Sequence, residues 1–141
     1  MALLNRVKEW VAVPRNQHVV IAVGVALLVV HLIDEIAVLH AGLLTTDTFA
    51  TVVMAGLVVF YTSLSPKWRM GLTLCVGILI KLQLIGEHVV PYFKEGHTAG
   101  LATAVIALAG TVLITGVGGG LLAEMIQARQ AARVPEPVEV G

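Results

Sequence analysis

The chain has 141 residues, 57% hydrophobic and only 13% charged, where soluble proteins average about 25% charged. Together with a mean hydropathy of +0.91, this excludes an ordinary soluble domain and indicates one polytopic membrane domain. Nine Lys and Arg balance nine Asp and Glu with no basic tract for nucleic acid, and the lone Cys75 excludes an intramolecular disulfide and CxxC chemistry.

In chain order, charges interrupt the apolar residues of Met1–Val13, so this stretch does not read as a cleavable signal and is expected to be retained. Leu3, Leu4, Val7, Trp10 and Val11 recur at helical spacing between Arg6, Lys8 and Glu9. That pattern suits a short interfacial helix anchored by Trp10 before Pro14, with a frayed extension as the alternative. The first spanning helix is expected over about 18–41. A turn over 42–47 follows, with Thr45-Thr46-Asp47 as cap signal, and a second span over about 48–64 has Tyr61 as its one ionisable residue. Pro66 is read as the stop of that helix, in a basic turn that includes Trp68. The third span, about 70–92, is apolar to Ile80 and then carries Lys81, Gln83, Glu87 and His88 before Pro91.

The fourth span, about 98–125, is rich in Gly and Ala, which permit close approach between helices. No Lys-Ser/Thr follows its glycines, so a phosphate loop is excluded and no nucleotide cofactor is expected. A polar helical tail to about 134 and a disordered 135–141 complete a single domain over 1–134. The expected fold is therefore all-α: an integral membrane four-helix bundle with a short N-terminal interfacial helix. Arg6, Lys8, Arg15, Lys67, Arg69, Arg129 and Arg133 all fall on one side, and Lys94 alone on the other, so both termini are expected to be cytoplasmic.

Within the first span, His31, Asp34 and Glu35 fall within roughly 100° of arc on a helix. Fourteen Leu, Ile and Val lie between Val19 and Leu39. They offer about −6 kcal/mol of insertion free energy, which two mid-helix carboxylates at about +3 kcal/mol each nearly cancel. Carboxylates in such a place are protonated, paired, metal-bound or turned toward other helices. At ~1.5 Å per residue, His31 and Lys81 fall at similar depth, with Glu87 and His88 further out, so the two polar helices are expected to face each other around one pocket.

Two chemistries fit. His31, Glu35, Glu87 and His88 have the nitrogen and carboxylate donors to hold one or two divalent transition metals, with Asp34 and Lys81 tuning charge and orientation. Alternatively, the six residues His31, Asp34, Glu35, Lys81, Glu87 and His88 form an acid/base site acting on a lipid-soluble small molecule. Proton or cation translocation along the same polar column is a second function, and an accessory subunit of a larger membrane complex, or a homo-oligomer, is a third. The bland counterpart is a buried pair, Glu35 with Lys81 or Asp34 with His88, that only fixes helix register. A haem between His31 and His88 is disfavoured by an estimated depth difference of about 8 Å. His18, His40 and His97 read as boundary residues.

His31-Leu32-Ile33-Asp34-Glu35 resembles the signature of the HXXEE-motif integral membrane proteins, with Asp34 in place of the first glutamate. His88, followed by Thr98-Ala99-Gly100-Leu101-Ala102-Thr103-Ala104, is similar to that family's histidine and its Pro-Gly-Leu-x-Thr-Ala helix start, with Ala99 in place of proline. The resemblance implies a small multi-helix membrane protein with His31, Asp34, Glu35 and His88 as site residues. It implies nothing about substrate.

Overall fold

The computed structural model describes residues 6, 9–10, 13–37, 45–96 and 98–132, without the side chains of 46 and 47. The expected interfacial helix before Pro14 lies largely outside these residues, as do His40, His97 and the 135–141 tail. Every regular element among the described residues is helical. Helix α1 spans Pro14–Ala37, α2 spans Thr46–Phe60 and ends in a 3₁₀ turn at Tyr61–Ser63, and α3 spans Pro66–Leu84. A π turn at Ile85–Val89 leads into α4, Val90–Glu95, and α5 spans Leu101–Ala131.

Three of the boundaries that differ from expectation are set by proline. Pro14 and Pro66 are the first residues of α1 and α3, which start earlier than the expected 18 and 70. Proline at the first helical position loses no hydrogen bond and brings its φ already set, so both residues open helices instead of closing the segments before them. Nor does Pro91 end the third span. Its ring opposes the Glu87 carbonyl one turn back and has no N–H to give it. The backbone widens just ahead of it, where the Val90 N–H donates to the Ile85 carbonyl in an i to i+5 bond. The helical run from Pro66 therefore continues for 30 residues to Glu95, where Gly96 closes it at φ 68°. Thr45 caps α2 as expected, its hydroxyl accepting from the Thr48 N–H at 3.2 Å.

Helix α5 lies between α1 and α3 and packs along both, while α2 rests on α1. The α1 seam is Gln17, Ile21, Gly24, Leu28, His31 and Glu35, all buried and spaced alternately by four and three. Its tightest point is the crossing of Gly24 with Gly110. A Cβ on Gly110 would lie 2.5 Å from the Gly24 carbonyl oxygen, so only hydrogen fits there. Ile114 of α5 sits against both Gly24 and Gly77, locking the three helices at mid-length.

Pro14–Ala37, Pro66–Glu95 and Leu101–Ala131 are each long and apolar enough to cross a membrane, and Thr48–Ser63 is apolar but shorter. Their outward faces are apolar too, with Ile33, Phe49, Val59, Phe60, Leu79 and Leu82 all exposed.

At the start of α1 the short α2–α3 turn is tied by Arg69. Its guanidinium donates to the Leu64 carbonyl at 2.8 Å and the Thr62 carbonyl at 2.9 Å, and lies 5.0 Å from the centre of the Tyr61 ring. Tyr61 in turn donates to Gln17 Oε1 at 2.9 Å inside the core. Arg69→Ala should cost about 1–3 kcal/mol by leaving two helix-end carbonyls without their charged donor. Arg69→Lys should recover only part of this, because lysine lacks the fork. Thermal unfolding in detergent checks both.

Candidate functional site

The far end of α1 carries the candidate site. His31 and Glu35 are the last two positions of the α1 seam, so the packing that buries Ile21 and Leu28 also buries them, at 2% and 8% exposure. His88 reaches the same place from the π turn. The buried stripe of α3 runs through Thr73, Gly77, Ile80 and Leu84, and the next inward position on a helix is 87 or 88. The wider π turn selects His88, which is 8% exposed, and leaves Glu87 outside. Pro91 thus acts on the site at one remove, by forcing the turn that aims His88.

Glu35 Oε1 lies 3.2 Å from His88 Nε2 and 3.8 Å from His31 Nε2. The two imidazole rings meet edge to face, 4.9 Å between centres at 84°. One ligand atom from each of the three residues falls within a group no more than 4.8 Å across. The His88 Nε2 contact with Glu35 is close without the alignment of a hydrogen bond, which leaves that buried nitrogen unsatisfied.

A layer from α5 backs this group. Thr103 Oγ1 lies 2.7 Å from Asp34 Oδ2 and 3.2 Å from His31 Nδ1. Asp34 is half-buried and touches the cluster through Thr103, not by entering it. The fourth span thus adds a hydroxyl, Thr103, to the ionisable groups supplied by the first and third. Its signal lay in the stretch that resembles a Thr-Ala helix start.

Two predicted residues lie elsewhere. Glu87 is exposed and accepts from Gln83 Nε2 at 3.2 Å, one turn away on the same face, so it does not join His31, Glu35 and His88. Lys81 is half-buried and donates to Thr115 Oγ1 at 3.3 Å. Helical side chains lean toward the N-terminus, so Lys81 extends away from His88 and not toward it. The buried pair is therefore Glu35 with His88, in place of Glu35 with Lys81 or Asp34 with His88. His18 stacks on Tyr61 at 6.0 Å, at the opposite end of α1.

The depth comparison also needs correction. His31 and His88 touch although His88 is 22 residues into its helix and His31 is 17 into its own. The count assumed that both helices start at one level, whereas α3 starts about 7 Å further from the site than α1. Depth thus gives no ground against a haem. Ring contact does, because two imidazoles meeting edge to face leave no space between them for a macrocycle.

No family model, curated protein or solved structure matches the chain.

A carboxylate flanked by two imidazoles in an apolar setting can do one of two things. It can share protons with them, or the three can hold a divalent ion as a two-histidine, one-carboxylate set with an open position for water or substrate.

Proposed function

We propose that this chain is a multi-pass membrane protein, a four-helix bundle with both termini cytoplasmic, in which His31, Glu35 and His88 hold a divalent transition metal that acts on a lipid-soluble molecule. The observation that carries the reading is the convergence of three buried ligand atoms from two helices, within 4.8 Å of one another. Bond lengths of about 2.0–2.2 Å set ligand atoms of a tetrahedral site a little over 3 Å apart, so Glu35 already stands near that spacing from both imidazoles, at 3.2 and 3.8 Å, and the group, within 4.8 Å overall, closes further around an ion. When bound, such an ion polarises a substrate oxygen or activates a water. The chain's own part is to fix three ligands and keep the surroundings dry. Glu35 supplies the negative charge that offsets the ion, and Leu28 and Leu84 of the core exclude water below it.

The membrane reading rests on three apolar helices of spanning length with apolar outward faces. The likeness to HXXEE-motif membrane proteins belongs to the same proposal, supported by the meeting of His31, Asp34, His88 and Thr103 from its two stretches. Translocation is less well supported. On α1 the thirteen residues between Gln17 and His31, a step of about 21 Å, bury only Ile21, Gly24, Val25 and Leu28, so no continuous polar column runs along this helix.

The test is elemental analysis of protein purified without chelators, beside His31→Ala/Glu35→Ala. One equivalent of metal in the parent and almost none in the double variant is expected. Glu87→Gln and Lys81→Met should keep the full equivalent. No metal in the parent, before or after loading with divalent ions, refutes the metal reading and leaves acid/base chemistry.

A further inference from the structure

Thr103 is the one polar side chain that α5 sends to the site, and its hydroxyl has a single proton to place. Three acceptors surround it: Asp34 Oδ2 at 2.7 Å, the Gly100 carbonyl at 3.1 Å and His31 Nδ1 at 3.2 Å. A carboxylate accepts but cannot donate, and 2.7 Å is the range of a charge-assisted O–H···O⁻ bond. The proton therefore goes to Asp34, and the contact with His31 is made by an N–H on Nδ1 donating to the Thr103 oxygen.

The consequence falls on the other ring nitrogen. In a neutral imidazole a proton on Nδ1 makes Nε2 an acceptor. That nitrogen faces Glu35 Oε1, itself an acceptor, at 3.8 Å. Glu35 alone would favour the opposite tautomer, with an N–H on Nε2, but its contact is the longer of the two by 0.6 Å. In that tautomer the Nε2 lone pair and the Glu35 carboxylate point the same donor chemistry at one place, which suits a cation between them.

We infer that Thr103 is the positioning residue of the site: held by Asp34, it fixes the Nδ1–H tautomer of His31 and so presents Nε2 as a ligand toward Glu35 and His88. The inference rests on the metal reading for its purpose but not for its geometry. It assigns Asp34 a place in the outer shell and brings a third helix into ligand orientation. Outer-shell partners of this kind set ring orientation and ligand basicity, and losing one weakens metal binding by about 10–100-fold.

The experiment labels the five histidines with ¹⁵N in detergent-purified protein. The His31 signals are assigned by their absence in His31→Gln, and the tautomer is read at alkaline pH without metal. Zn²⁺ affinity is then measured by chelator competition. Nδ1–H is expected for the parent and for Thr103→Ser, which keeps the hydroxyl. Thr103→Val should move the population toward Nε2–H and weaken Zn²⁺ binding by about 10–100-fold. Asp34→Asn leaves Thr103 in place but lets an amide N–H donate to it. The Thr103 proton is then free for His31 Nδ1, and the same tautomer shift is expected.

Unchanged tautomer and affinity in Thr103→Val overturn the inference. So does an equal loss in Thr103→Ser, which would mean that packing and not the hydroxyl matters. If the parent binds no Zn²⁺, the proposed metal function fails while the tautomer readout still decides the role of Thr103.

Discussion

Glu35→Gln is expected to weaken metal binding by about two to three and a half orders of magnitude while leaving the metal-free protein as stable as the parent or more so. Glu35 is the one carboxylate among the three clustered candidate ligands. Without it, two neutral imidazoles would have to balance a divalent charge among apolar neighbours. Removing one partner of a buried charge pair costs about 3–5 kcal/mol, which is two to three and a half decades in affinity. In the absence of metal the sign reverses. The buried carboxylate must then be desolvated for little return, whereas an amide of the same shape is neutral and carries N–H groups to offer the His88 nitrogen. If Glu35 were only a lock between α1 and the π turn, Glu35→Gln would instead destabilise the metal-free protein and no metal would be present to lose. Thermal unfolding and Zn²⁺ competition on the same two samples separate the cases, because the two roles predict opposite signs of stability change.

Much of this site was legible because the α1 seam is regular. Gln17, Ile21, Gly24, Leu28, His31 and Glu35 keep a four-three spacing, which places His31 and Glu35 on the buried line and Asp34 beside it. His88 was legible as a residue, but its rank over Glu87 was not. Both positions suit an α-helical stripe, and a π turn set by Pro91 decides between them. Lys81 was grouped with the histidines because its count along the third span put it level with His31. Its side chain leans toward the helix start, which takes it to Thr115 instead.

In the sequence Thr103 stands out only as part of the stretch that resembles a helix start, not by its chemistry. A hydroxyl among apolar residues on a helix usually bonds its own backbone, as Thr73 and Thr111 do here with the Arg69 and Leu108 carbonyls. Only the meeting of α1 with α5 gives Thr103 two further partners. That meeting depends on small residues far from the site, and a helix pattern alone does not say which glycines face which.

Gly110→Ala should destabilise the protein by about 1–3 kcal/mol and reduce metal occupancy with it, although Gly110 lies about 10 Å along α5 from Thr103. The added methyl would lie 2.5 Å from the Gly24 carbonyl oxygen and 3.1 Å from Leu27 Cβ. Carbonyl oxygen is backbone and cannot rotate away, so α1 and α5 must separate. Separation at Gly24 moves His31 relative to Thr103, seven residues further along α1. Gly119→Ala, on the same helix, has nothing within 4 Å of its new Cβ and should add up to about 1 kcal/mol through helix propensity alone. The same substitution on one helix is thus expected to act with opposite sign at the two positions. Thermal unfolding in detergent measures both, and equal effects would show that the Gly24–Gly110 crossing does not hold α1 against α5.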